Sequence, residues 1–291
     1  MARTMQYVID GEHDGRKVVH FLRGRLRFSA RLVAKLKTLP EGILLNGAHT
    51  RTIDRLHTGD VLTVNLPEEV MRLEPLEYAL DVVFEDEDLL IINKPAGLAM
   101  HPTHNHQGDT LANAVSAYFA QKGAAHAFRS IGRLDKGTSG LVVCALNKYA
   151  ASRLTGHIEK SYLALPGGHY EGSGTIDTPI VRPDPMKTLR WVGEGGEHAV
   201  THWRAKQSGE QASLLEVCLE TGRTHQIRVH FASLGTPLLG DDMYGGTTDL
   251  IARPALHCAS LRFLHPVSEK EMCFAALMPE DMCRIASLCA K

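Results

Sequence analysis

Long apolar runs are missing from this chain of 291 residues: none approaches the roughly 20 residues that span a bilayer. The N-terminus also lacks the basic end, apolar stretch and small-residue cleavage site of a secretory signal. Membrane contact and export are therefore not expected, and a cytoplasmic location is. Cysteine pairing is absent too. Cys144, Cys218, Cys258, Cys273, Cys283 and Cys289 form no Cys-x-x-Cys unit, several lie in apolar stretches, and all read as reduced thiols. There is no glycine-rich phosphate loop, no repeat and no low-complexity tract, and the net charge of -1 shows no excess of either sign.

That even balance hides an uneven distribution. Residues 1–66 hold 11 Lys or Arg against 6 Asp or Glu, a net of +5, so the remainder carries -6. From Arg16 to Lys37 there are eight basic residues and no acidic one. Such a stripe is either a solvated helix face or a seat for a phosphate backbone. Its setting favours the second reading. Ser29 can cap a helix whose Leu32, Val33, Leu36 and Leu39 recur at helical spacing, and strand-like stretches follow around Gly42, Gly47 and Gly59. Arg23, Arg25, Arg27, Arg31 and Lys35 are the candidate backbone contacts. A proline-bracketed polar stretch marks a linker over 67–80, dividing a unit of 1–66 from one of 81–291.

In the larger unit, strands are expected at 82–85 and 89–92, a helix capped by Asp109 or Thr110, and further strands near 162–165, 199–205 and 214–219. Helices and antiparallel-type strands are interspersed without regular alternation, so the class is α+β. Within it, Gly132-Arg133-Leu134-Asp135-Lys136-Gly137-Thr138-Ser139-Gly140 puts one carboxylate on a glycine-bounded turn ahead of the apolar run 141–146. Gly137 and Gly140 would let the backbone bend and a ligand come close, although an Asp can also simply close a turn. A second segment, Thr221-Gly222-Arg223-Thr224-His225-Gln226-Ile227-Arg228-Val229-His230, predicts a helix capped by Thr224, with His225 and Arg228 on one face.

Together with Glu159-Lys160-Ser161-Tyr162-Leu163-Ala164-Leu165, these motifs resemble those of the RluA-type pseudouridine synthases. An opening stretch from Leu89 through Asn93-Lys94-Pro95-Ala96-Gly97 to His101-Pro102, and a closing one from Arg253 to Pro266, extend the resemblance over roughly 81–280, in order. The N-terminal unit resembles, more loosely, a small RNA-binding module found in a ribosomal protein, some tRNA synthetases and many such enzymes.

The resemblance implies a catalytic domain with a mixed, largely antiparallel sheet, a small N-terminal α+β RNA-binding module, and a monomer acting on ribosomal RNA or tRNA. It implies conversion of uridine to pseudouridine, which breaks the bond from ribose to a ring nitrogen and rejoins the sugar to a ring carbon. Nothing is oxidised or added, so no cofactor and no metal is called for. One ionised carboxylate is needed, as nucleophile or as base. By residue match that is Asp135, with Arg228 expected to pair with it and Tyr162 to stack on a base flipped out of the RNA. Arg133, Thr138, His101, Thr224 and Gln226 are the implied substrate contacts. Gly132 departs from the family pattern, since many RluA-type members have His there, and a Gly-Arg-Leu-Asp start also occurs in the sibling RsuA type. The rival readings are that sibling type, an RNA-binding protein without activity, and a metal-dependent hydrolase using the loop of His101, His104 and His106. The Gly- and Pro-rich segment between Gly167 and Glu197 matches no motif and reads as loops.

Overall fold

The computed structural model describes residues 3–67, 73–103, 106–124 and 127–289. It contains a four-stranded sheet at the N-terminus and a nine-stranded sheet in the larger unit, with a two-stranded pair, Ile180–Val181 with Trp191–Val192, at its margin. Among the described residues no helix is long and apolar enough to cross a membrane.

In the small sheet Arg3–Val8 pairs with Val61–Leu66, followed by Ile43–Leu45 and Ala48–His49, all antiparallel. Against it pack a helical stretch over 18–25 and the helix Ala30–Leu36, whose first turn is capped by Ser29 Oγ accepting from the Leu32 amide at 3.1 Å. Val33 and Leu36 face the core with Phe21, Leu22, Leu26 and Phe28. The polar side of this hairpin of helices carries the basic stripe, and all eight of its Lys and Arg residues are exposed. Tyr149, from the helix Lys148–Leu154 of the large unit, completes the small core: it is buried, with its ring 4.8 Å from that of Phe28. Arg3 reaches the same unit and donates from Nε and Nη2 to both carboxylate oxygens of buried Asp88, at 3.1 and 2.9 Å.

The large sheet runs in the order Val82–Glu85, Leu89–Lys94, Ser139–Ala145, Leu256–Leu264, Glu159–Ala164, Leu214–Leu219, Val200–Gln207 and Ser173–Asp177, with Glu271–Ala275 beside the far end of Leu256–Leu264. All of these pairings are antiparallel except that of Leu256–Leu264 with Ser139–Ala145. The strand Ser139–Ala145 is buried along its whole length, as its unbroken apolar run predicts. The helix Leu111–Gln121 starts at Thr110, whose hydroxyl and the Asn113 side chain cap each other's backbone amides.

Three local expectations are corrected. The segment 167–197 is not all loop, because Ser173–Asp177 forms the sheet's last strand against Val200–Gln207. Residues 73–80 of the expected linker lie along the helix Leu111–Gln121, with the Leu76 amide and the Glu74 carbonyl both bonded to Asn113, while 68–72 fall outside the described residues. Gly140 is set against a neighbouring strand, a role the turn reading did not include. Its φ is +113°, and a Cβ there would collide with the backbone of Cys258, so glycine is what lets the parallel strand close against the end of the turn bearing Asp135.

Candidate active site

The turn 131–138, the strand Glu159–Ala164, the loop 219–225 and the start of the helix Gln226–Ser233 enclose a cavity of about 360 Å³. This volume is within the range of small-ligand pockets. Asp135 lies in it with 15% of its side chain exposed. The other lining carboxylate, Glu220, is turned outward to His202 at 2.7 Å.

Arg228 rises from the facing helix and is only 7% exposed. Its Nη1 donates to Asp135 Oδ2 at 3.3 Å, but its shorter bonds go elsewhere. Nε and Nη2 each donate at 2.7 Å to the two oxygens of Asp241, which is fully buried. The guanidinium also sits 5.0 Å from the centre of the Tyr244 ring. One edge of the planar fork is thus locked by a bidentate carboxylate, leaving the remaining nitrogen to meet Asp135. Burial opposes the charge on Arg228, yet the two carboxylates together hold its pKa above the usual value.

His225 Nε2 is 3.8 Å from Asp135 Oδ2, and its Nδ1 shares a 2.8 Å hydrogen bond with the Tyr244 hydroxyl. Burial lowers the pKa of this imidazole, against the opposing charge of Asp135. The residue is also the helix N-cap, with φ of +58°, which corrects the expectation that Thr224 caps it. Thr224 lines the cavity from the loop.

Tyr162 stands on the wall strand and is 7% exposed; burial above all pushes its phenol well above the usual value and keeps it neutral. Behind the turn bearing Asp135, wholly buried Lys94 donates to the carbonyls of Pro95, Leu98 and Lys136 at 2.8, 2.9 and 3.3 Å. The Gly97 amide bonds the same Lys136 carbonyl at 2.8 Å, so the turn bearing Asp135 is stitched to the stretch after strand Leu89–Lys94. Burial pulls the Lys94 amine down to about 7, with Asp135 acting the other way.

The remaining candidates divide. Arg133 is exposed at the cavity wall, and Thr138, 2% exposed, lines the cavity with a hydroxyl that has no hydrogen-bond partner among the described residues. Gln226 also lines it, but its amide is committed within the protein. It accepts from Thr221 Oγ1 and the Arg223 amide, and donates to the Val200 carbonyl and Thr201 Oγ1, at 2.9 to 3.0 Å. This makes Gln226 a brace of the loop. His101 lies outside the cavity lining and shares a 2.9 Å bond with Ser130 Oγ, while His106 pairs with Asp109 at 2.6 Å. His104, the third histidine of that loop, is outside the described residues. Asp241 and Lys94 were missed as site residues, although Asp241 stands in Gly240-Asp241-Asp242-Met243-Tyr244-Gly245, a glycine-bounded acidic turn like that of Asp135.

Comparison with known proteins matches this arrangement to one family. A family model described as RNA pseudouridylate synthase matches residues 88–233. The chain is 37% identical over 295 residues to the uncharacterized RNA pseudouridine synthase YhcT of Bacillus subtilis (strain 168), covering 96% of this chain and 95% of that protein. It is 37% identical over 265 residues to ribosomal large subunit pseudouridine synthase D of Escherichia coli (strain K12), covering 84% of this chain and 81% of the relative. The solved structure of human RNA pseudouridylate synthase domain containing 1 superposes with a TM-score of 0.58 at 28% identity, covering 75% of this chain and 90% of that one. The chain belongs to the RNA pseudouridine synthases, within them to the RluA type, and is an isomerase that converts uridine in RNA to pseudouridine.

Proposed function

We propose that the enzyme acts on uridines of ribosomal RNA, in the cytoplasm and as a monomer, with Asp135 as the reacting carboxylate. The observation that carries this reading is the Asp241–Arg228–Asp135 chain at the cavity, in which a guanidinium fixed on one side by 2.7 Å bonds presents its free edge to the only inward-facing carboxylate among the described lining residues. An ionised Asp135 can attack the sugar or base, or take a proton from the sugar, and Arg228 stabilises that negative charge. The glycosidic C–N bond breaks, the base turns within the cavity, and a C–C bond forms while the ring carbon gives up its proton and a ring nitrogen ends with one. Tyr162 offers a flat, neutral ring against which the turning base can slide.

In this reading 1–66 is the RNA-binding module and 81–291 the catalytic domain, with residues 73–80 of the stretch between them packed onto the catalytic domain. Support for ribosomal RNA comes from the relatives named for the large ribosomal subunit and from the exposed basic stripe. Mapping pseudouridine in ribosomal RNA from cells with and without the protein tests the assignment: at least one site should revert to uridine, and an unchanged ribosomal map would move the substrate to another RNA.

A further inference from the structure

Resting on the reading above, we propose that Lys160, together with Gly132, forms a phosphate subsite that grips the RNA backbone beside the flipped uridine. Lys160 and Tyr162 are two residues apart on one strand, so both project from the same face into the cavity, about 7 Å apart along the chain. If the ring of Tyr162 meets the base, Lys160 lies off to its side, toward the sugar-phosphate chain.

Lys160 is a cation without an anion. Its Nζ makes one hydrogen bond, to the Ile131 carbonyl at 3.3 Å, and among the described residues no carboxylate pairs with it. The lining carboxylates are already engaged, Asp135 by Arg228 and Glu220 by His202, and the lining Arg223 is paired with Glu197 at 2.6 Å. Arg133 is likewise without a carboxylate partner among the described residues. Two cations therefore flank Gly132 with no carboxylate counter-ion among the described residues, and the anion an RNA can supply is a phosphate. Burial disfavours the lysine's charge in the free protein, a cost that an incoming phosphate relieves. Gly132 is what makes the room. It adopts φ of +76°, and a Cβ there would stand 3.0 Å from Lys160 Nζ, so a side chain at 132 would displace the amine.

The test uses the full-length enzyme and an unmodified ribosomal RNA fragment transcribed in vitro that contains a mapped target uridine. Lys160→Gln should weaken RNA binding about tenfold or more, as expected for one lost charge-assisted contact. It should also lower the salt slope of binding by about one unit, with kcat within about twofold of wild type. Lys160→Arg should restore most of the affinity. With wild-type protein, a single methylphosphonate at one linkage flanking the target should reproduce the loss, and at that linkage Lys160→Gln should be indifferent to it. The methylphosphonate scan does not depend on how the variant folds. A wild-type enzyme insensitive at every flanking linkage, or a Lys160→Gln enzyme with full affinity and slope or with loss confined to kcat, would overturn the subsite. Absence of pseudouridine from the wild-type reaction would instead overturn the choice of RNA, while the binding measurements would still judge Lys160.

Discussion

Asp135 and Arg228 are 93 positions apart in sequence and are drawn together by a residue that neither motif contains. Asp241 holds Arg228 through two 2.7 Å bonds, and both groups are buried, so each would be a stranded charge without the other. Asp241→Asn should therefore cost stability, on the order of 3–5 kcal/mol if the pair breaks fully, and reduce kcat by more than tenfold because the guanidinium loses its orientation. Thermal unfolding and single-turnover kinetics check this, and a variant that keeps both Tm and kcat would show that Arg228 is held by something else. Asp135, Tyr162 and Arg228 were legible in the sequence because each sits in a dense local motif. The partner of Arg228 was not, since two glycine-bounded acidic turns look alike along the chain, and only closure of the fold selects which one lies behind the guanidinium and which in front.

Elements were legible where the side-chain period or a cap was strong. The helix Ala30–Leu36 begins at Ser29, and the strand Leu214–Leu219 falls on its apolar stretch as expected. Arg3–Val8 passed unnoticed because Met5 is the one residue of this strand that is buried, which leaves too short an apolar signal. The helix Gln226–Ser233 is capped by His225, one residue past the expected Thr224, because the loop is held by the Gln226 side chain, which accepts from Thr221 Oγ1 and the Arg223 amide. For the basic stretch, the structure supplies exposure: Arg23, Arg27 and Arg31 stand in solvent on the helical side of the small sheet. Reversing these three to Glu should weaken binding of long structured RNA and lower its salt slope by about two to three units, with kcat at saturating RNA changed far less. Binding across a salt series measures this, and an unchanged slope would return the stretch to a solvated helix face.

At the scale of the whole molecule, the two units share contacts that no sequence pattern announced. Tyr149 completes the small core and Arg3 grips Asp88, while Arg25 and Arg153 converge on Glu269 at 3.2 and 3.1 Å. Charge reversal is therefore a cleaner probe of the module than its deletion, which would uncover Tyr149 and strip Asp88 of its arginine. Acid sensitivity is also a property of the whole fold. Burial lowers the pKa of His225, His230 and His257 below the ordinary 6.5, so the unfolded chain takes up protons first as the pH falls. Their contribution is complete above the unfolded value and is lost progressively as the pH falls from there through the lower folded values, so Tm should begin to decline as the pH drops below about 7 and should be lower at about pH 5.5 than at pH 7. A Tm that stays flat over that interval would mean these rings accept protons in the folded state at no cost.

The central claim is that one ionised carboxylate, Asp135, carries the chemical step, and replacing it with the neutral, isosteric Asn tests this most directly. Pseudouridine formation on the mapped ribosomal RNA fragment should be undetectable with Asp135→Asn, while the variant binds that RNA with wild-type affinity and salt slope. Substantial pseudouridine from the Asn variant would contradict the account.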